Sequence, residues 1–136
     1  MTIYFAGSIT GGRDDQPIYE QIIGLLKNYG SVFTEHFGHA TLTAAGESLS
    51  SRDIHDRDID WLRRADVIVA EVTTVSLGVG YELGRAVEWG KRVICLYRPS
   101  EGKRLSGMIS GSPGIQVIEY GAVADLHHVF DTLLRG

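Results

Sequence analysis

Cysteine is nearly absent: Cys95 stands alone among 136 residues, so no internal disulfide and no thiolate cluster for a metal can form. It lies in the apolar run Val93-Ile94-Cys95-Leu96-Tyr97, where a buried, inert thiol is expected. A membrane-crossing helix needs about 18 or more consecutive apolar residues, and no such run occurs. The opening Met1-Thr2-Ile3-Tyr4-Phe5 lacks a basic region followed by a long apolar stretch, so no signal peptide is read there. The expected setting is the cytoplasm, or the nucleus in a eukaryotic cell. A net charge of -4 lacks the basic excess that nucleic acid or an anionic membrane would call for. The P-loop pattern GxxxxGKS/T is missing. In Gly78-Val79-Gly80-Tyr81-Glu82-Leu83-Gly84 the third glycine falls one residue late for GxGxxG. His36, His39, His55, His127 and His128 show no HExxH or other ligand spacing, so they read as surface or core-edge residues rather than metal ligands. No metal and no cofactor is expected.

What is present is a globular balance, 43% hydrophobic and 22% charged, in a length suited to one domain spanning 1–136. At this size a compact fold buries roughly two thirds of the surface of its unfolded chain. Short apolar runs alternate with helical patterns throughout. Ile3-Tyr4-Phe5-Ala6 reads as a first strand closed by Gly7. Asp14 and Asp15 offer an N-cap, Pro17 suits the first helical turn, and Ile18, Ile22, Leu25, Leu26 and Tyr29 keep helical spacing up to Gly30. Val32-Phe33-Thr34 reads as a second strand. The small, polar stretch Ala40 to Ser51 reads as a mobile loop, with Ser51 capping a helix from about Asp53 to Ala65. Val67 to Ala70 is an apolar strand of the kind covered on both faces. The turn Ser76 to Gly80 opens a helix ending near Gly90. Arg92 to Tyr97 and Ile115 to Tyr120 read as strands, Arg98 to Arg104 as a solvated loop, and a last helix carries Val123, Leu126, Phe130, Leu133 and Leu134. Such alternation predicts an α/β fold, a single doubly wound (flavodoxin- or Rossmann-like) domain with a five-stranded parallel sheet in the order 2-1-3-4-5. Ligands of such sheets bind beyond the carboxyl ends of the strands, where the winding reverses. Here that point lies between the turns Gly7 to Arg13 and Thr73 to Gly80, the chain's stretches richest in glycine and hydroxyl groups.

Three features there carry chemistry. On a helical projection Ile54, Trp61, Leu62 and Ala65 form an apolar stripe with Asp58 in its middle. An ionised carboxylate in such an interface costs on the order of several kcal/mol unless paired. It is therefore either a functional acid or one satisfied by backbone amides or by an arginine such as Arg13. Glu82, expected in the first turn of its helix between Gly80 and Gly84, is either a ligand-facing acid or one that complements the helix dipole, an effect of about 0.3–1 kcal/mol. Ser76 and the amides of Gly78 to Gly80 make a helix N-terminus suited to an anion. Two carboxylates so placed can support glycosidic cleavage.

With these residues located, the chain resembles the 2'-deoxynucleoside 5'-phosphate N-hydrolases of the nucleoside 2-deoxyribosyltransferase superfamily over nearly its whole length. The matching blocks are Tyr4 to Ile9, Thr34-Glu35-His36, Ile54 to Asp58, Ala65 to Thr73, Ser76 to Val87 and Leu105 to Ile109. The resemblance implies cleavage of the N-glycosidic bond of a deoxynucleoside monophosphate to free base and 2-deoxyribose 5-phosphate. It implies Glu82 as the nucleophile of a glycosyl-enzyme intermediate, Asp58 orienting the sugar and assisting proton transfer, and Tyr4 positioning these groups. Ser8, Ser76 and Gly78 would hold the 5'-phosphate, with Ile9, Gly11, Gly12, Arg13 and Met108 as further substrate contacts. Ser106 would reach the phosphate bound by the neighbouring subunit of a homodimer with shared active sites. Thr10 stands where vertebrate relatives carry arginine, and a lost charge-assisted contact costs about 1.5–3 kcal/mol. The rival readings are a deoxyribosyltransferase on unphosphorylated nucleosides and a non-catalytic nucleotide-binding module. Base preference would rest on Ile9, Ile18 or Tyr19 and the 40–51 loop.

Overall fold

The structure, a computed structural model, describes residues 1–9, 13–36 and 49–135, and of Arg13 the backbone only. Thr10, Gly11, Gly12, most of the expected loop and the side chain of Arg13 therefore lie outside the described residues.

Five parallel strands, β1 (Thr2–Ala6), β2 (Ser31–Thr34), β3 (Val67–Glu71), β4 (Arg92–Tyr97) and β5 (Ile115–Glu119), form one sheet in the order β2-β1-β3-β4-β5, as expected. Alternate residues of each strand face opposite sides, and the core divides accordingly. Ile3, Phe5, Val67, Val69, Ile94 and Leu96 pack against α1 (Gln16–Leu26) and the last helix, α5 (Leu126–Leu134). Tyr4, Ala6, Ile68, Ala70, Val93 and Cys95 pack against α2 (Ser51–Arg64) and α3 (Leu77–Glu88). The Cys95 thiol is buried and pushed up to about 12 by that burial, with the Glu71 charge adding to it. Tyr4 thus points to the layer that holds α2 and α3, which decides where its phenol goes.

Several local expectations are corrected. Asp15 occupies the N-cap position of α1 but makes no capping bond with its side chain. Its carboxylate instead accepts from Thr74 Oγ1 at 2.6 Å and from Arg98 Nη2 at 2.7 Å. Helix α1 stops at Leu26, not at Gly30, because Asn28 and Tyr29 donate to Leu25 and Leu26, three residues back, and the last turn tightens. Gly30 serves close approach instead: a Cβ there would lie 2.1 Å from the Met1 carbonyl oxygen. Ser50, not Ser51, caps α2, its Oγ accepting from Asp53 N at 3.1 Å. Helix α3 ends at Glu88, with Gly90 at a φ of 71° just beyond it, a conformation that glycine adopts without a Cβ clash. Val123 lies in a separate single turn, Val123–Asp125, before α5. A four-residue helix, α4 (Gly107–Ser110), was not foreseen, being too short to show a period.

The stretch after β4 is not simply a solvated loop, because its first residue is tied inward. Arg98 pairs with Asp15 and lies 3.5 Å from Oε2 of the wholly buried Glu71. Glu71 also accepts from Thr73 N at 2.7 Å, Thr73 Oγ1 at 2.9 Å and the Tyr120 phenol. This network joins the carboxyl ends of β3, β4 and β5 to the start of α1, and it fixes the rim on which the site is built.

Candidate active site

A cavity of about 200 Å³ opens at the carboxyl ends of β1 and β3, at the reversal point. Its walls come from Tyr4, Phe5, Ala6, Gly7 and Ile9 on one side, from Glu35 and His36 just after β2, and from Ser76, Gly78, Val79 and Glu82 at the start of α3. Gly7 makes room here: a Cβ would sit 3.1 Å from the ring of Tyr19, which would have to yield by a few tenths of an ångström.

The pair at its centre is Tyr4 and Glu82, 78 residues apart in sequence, with the phenol donating to Oε2 of the carboxylate. Glu82 follows the first turn of α3, which holds no acidic residue. The dipole explanation for Glu82 therefore loses its basis, because that effect fades within one turn. Burial pushes its carboxyl up to about 7; the Tyr4 hydrogen bond pulls down, and the Glu35 charge adds to the rise. The Tyr4 phenol is raised far above its ordinary value, first by burial and then by Glu82, so it remains a donor throughout the neutral range. Such a carboxyl, near half ionised at neutral pH, fits a group that must both bond to carbon and leave it.

Glu35 and His36 fall in a block that carries the family resemblance but are given no site role by the sequence, His36 reading as surface or core edge; both line the cavity. Burial raises the carboxyl of Glu35, opposed by Arg57. His36 is buried, and its Nε2 lies 3.1 Å from the Gly7 carbonyl oxygen. A carbonyl only accepts, so Nε2 carries the proton. Burial also holds the imidazole below its ordinary pKa and therefore neutral. The signal that could have found both is position, since Glu35 and His36 directly follow the second strand, beside the switch point.

Asp58 is 6% exposed, as its place in the apolar stripe implies. It is not among the residues lining the cavity. Its partner is the adjacent Arg57, whose Nε donates to Oδ1 at 3.0 Å. The sequence names Arg13 as an example of such an arginine; the one the structure places there is Arg57. Ser76 caps α3, its Oγ accepting from Val79 N at 3.2 Å, and so shapes the helix N-terminus on the cavity wall. Ser8 is buried beside Gly7. Ser106 caps α4, and Met108 is 83% exposed; neither lines the cavity of its own chain. Among the described residues, no group of three or more His, Cys, Asp or Glu side chains is arranged to hold a metal ion. Nor is any described helix long and apolar enough to cross a membrane.

A parallel doubly wound sheet with a phenol-bound carboxyl at its switch point defines a small-molecule site of acidic character. The chain belongs to the nucleoside 2-deoxyribosyltransferase family, whose profile matches residues 3–127. It is 56% identical over 114 residues to a 5-hydroxymethyl-dUMP N-hydrolase of Tetraodon nigroviridis, covering 82% of this chain and 80% of that protein. It is 50% identical over 141 residues to the 5-hydroxymethyl-dUMP N-hydrolase of Mus musculus, covering 98% of this chain and 82% of that protein. Among solved structures, Clostridium botulinum CMP N-glycosidase superposes with a TM-score of 0.67 at 18% identity, covering 98% of this chain and all 100% of that one. The 2-deoxyribosyltransferase of Bacillus psychrosaccharolyticus gives 0.63 at 19% identity over 93% of this chain and 90% of the other, so the architecture is shared.

Proposed function

We propose that this protein is a hydrolase that splits the N-glycosidic bond of 2'-deoxynucleoside 5'-monophosphates, releasing free base and 2-deoxyribose 5-phosphate. The observation that carries the reading is the Tyr4–Glu82 pair, a buried carboxyl poised near neutrality in a cavity at the switch point. The names of the relatives at 50% and 56% identity support the same substrate class.

A deoxyribose lacks the electron-withdrawing 2'-hydroxyl, so positive charge develops readily at its anomeric carbon. Ionised Glu82 stabilises that charge and bonds to the carbon as the base departs, and water then displaces the carboxylate. The Tyr4 phenol holds the carboxylate in line. Asp58 takes the sugar-orienting and proton-transfer role that the family resemblance implies. Ser76, Gly78 and Ser8, together with Ile9 and the turn bearing Gly11, Gly12 and Arg13, grip the 5'-phosphate. That grip supplies binding energy remote from the reacting bond.

The functional unit is a homodimer with shared sites. Val75 and Leu77, which flank Ser76, are 91% and 93% exposed, and Met108 is 83% exposed. Large apolar side chains displayed this fully beside a site are suited to cover by a second copy. Ser106 does not line its own cavity, and in the dimer it reaches the phosphate bound by the partner.

The test is incubation with each deoxynucleoside monophosphate and chromatographic detection of 2-deoxyribose 5-phosphate. Release by wild type and none by Glu82→Ala is expected. Equal rates would remove Glu82 as nucleophile. Exchange of one base for another without net hydrolysis would make the protein a transferase, and tight binding without turnover a nucleotide-binding module. Sedimentation of Leu77→Asp tests the dimer, with a monomer expected.

A further inference from the structure

Glu35 and Glu82 line the cavity, Asp58 is buried but off its wall, and the three carboxyl groups differ in what holds them. Glu82 is held by the neutral phenol of Tyr4. Asp58 and Glu35 share a cation, Arg57: its Nε donates to Asp58 Oδ1 at 3.0 Å, and its Nη2 lies 4.0 Å from Glu35 Oε1. The same guanidinium sits over the ring of Trp61, 4.8 Å from the ring centre, and that ring stacks on Phe33 of β2 at 5.7 Å. A planar, always-charged group placed over an aromatic ring has few alternative positions, so it stays hydrogen-bonded to Asp58 and within ion-pair distance of Glu35.

We infer that Arg57 is a positioning residue for the reaction: its guanidinium fixes where the carboxyl groups of Asp58 and Glu35 sit relative to the Tyr4–Glu82 pair. This deepens the hydrolase reading and rests on it for its kinetic part. The charge arithmetic is local. Tyr4 from β1, Glu35 and neutral His36 after β2, and Glu82 from α3 line the cavity, and the Arg57 charge on α2 acts on both Tyr4 and Glu35. The Glu35 charge raises Glu82, and burial pushes Glu35 itself up, with Arg57 the group opposing that rise. Two interacting acids in one cavity divide their protons between them. Neutralising Arg57 moves the proton toward Glu35, lessens the repulsion on Glu82, and frees the Asp58 carboxylate to rotate away from its working position.

The experiment compares wild type, Arg57→Gln and Arg57→Lys, with 5-hydroxymethyl-dUMP as the probe nucleotide. Arg57→Gln is expected to lower kcat by about tenfold or more, the scale of one charge-assisted hydrogen bond, with KM within about threefold. The acid limb of its kcat profile should move to lower pH. Arg57→Lys, which keeps charge but not the planar fork, should restore the acid limb and part of kcat. In parallel, the Glu35 carboxyl is titrated by carbon-13 NMR without nucleotide. Its midpoint should rise by about one pH unit or more in Arg57→Gln, since a nearby opposite charge depresses a carboxyl by about 1–3 units. Wild-type kcat and acid limb in Arg57→Gln overturn the inference, as does an unmoved Glu35 midpoint. A wild type that releases no base from any deoxynucleotide overturns the hydrolase reading instead, and the NMR arm then still decides whether Arg57 fixes the charge of Glu35. If Arg57→Gln does not fold, Arg57→Lys carries the test, because lost kcat at unchanged KM and unchanged melting temperature still requires the fork geometry. A fully active Arg57→Lys is then the overturning result.

Discussion

Replacing Glu82 by glutamine keeps the shape of the side chain and an oxygen to accept from Tyr4, but removes the charge. Unfolded, this carboxyl ionises near its ordinary 4.5, and in the folded protein burial pushes it up to about 7. Below the unfolded value both states carry the proton, and the tighter proton binding of the folded state contributes its full stabilisation. As pH rises through about 7 that contribution is lost, because the unfolded chain has already released its proton. At about 1.4 kcal/mol per pH unit, the wild-type protein above pH 8 bears a cost of about 3 kcal/mol for its ionised, buried carboxylate. Glu82→Gln carries no such cost. It should be more stable than wild type by about 2–3 kcal/mol at pH 8.5, roughly 6–10 °C in Tm for a domain of this size. At pH 5, where the unfolded carboxyl is only partly ionised, the gap should shrink to about 1 kcal/mol or less. Urea unfolding at the two pH values, followed by circular dichroism, measures the difference, and base release by the variant should be lost. A gap of the same size at both pH values would refute the argument, and so would a variant less stable than wild type at pH 8.5. In either case burial would not be what moves this carboxyl.

Tyr4→Phe removes the donor that pulls the Glu82 carboxyl down, so the acid limb of kcat should shift to higher pH. The maximal rate should fall about 10- to 100-fold, and a pH–rate profile reads both. Arg98→Met should destabilise the fold by about 3–5 kcal/mol in urea titrations, because Glu71 is wholly buried and loses its cationic neighbour. Gly30→Ala should cost about 1–3 kcal/mol or more, since its Cβ would meet the Met1 carbonyl oxygen at 2.1 Å and neither backbone can yield freely. Thermal melts compared with Gly24→Ala, where a Cβ meets nothing within 4 Å, isolate that clash from general helix effects.

Much of the fold was legible because its signals are local. Five apolar runs separated by helical periods define strands and helices, and βαβ handedness leaves few ways to wind them. The observed strand order agrees with that expectation. Boundaries were less secure where one hydrogen bond decides them, as with Ser50 against Ser51 and the tightened end of α1. Within the site, Asp58 stood out because a charged residue interrupts an apolar stripe. Glu82 and the Ser76 turn stood out through their glycine neighbours. Tyr4 and Ser106 came only from resemblance, since an aromatic residue in an apolar strand and a serine in a loop look ordinary.

The amino-acid order by itself determined the layers, the switch point and the acids worth watching, because periodicity and burial cost are properties of a segment and its immediate neighbours. Which groups touch was settled only by tertiary folding. The strand pleat turns Tyr4 toward α3 and onto Glu82, the packing of β2 beside β1 brings Glu35 to the same cavity, and the packing of α2 sets Arg57 between two acids. Asp15, expected to cap a helix, was instead drawn to Arg98 after β4. Electrostatic partners depend on distances across the chain that no local pattern records, so the proton affinity of Glu82 exists only in the assembled cavity.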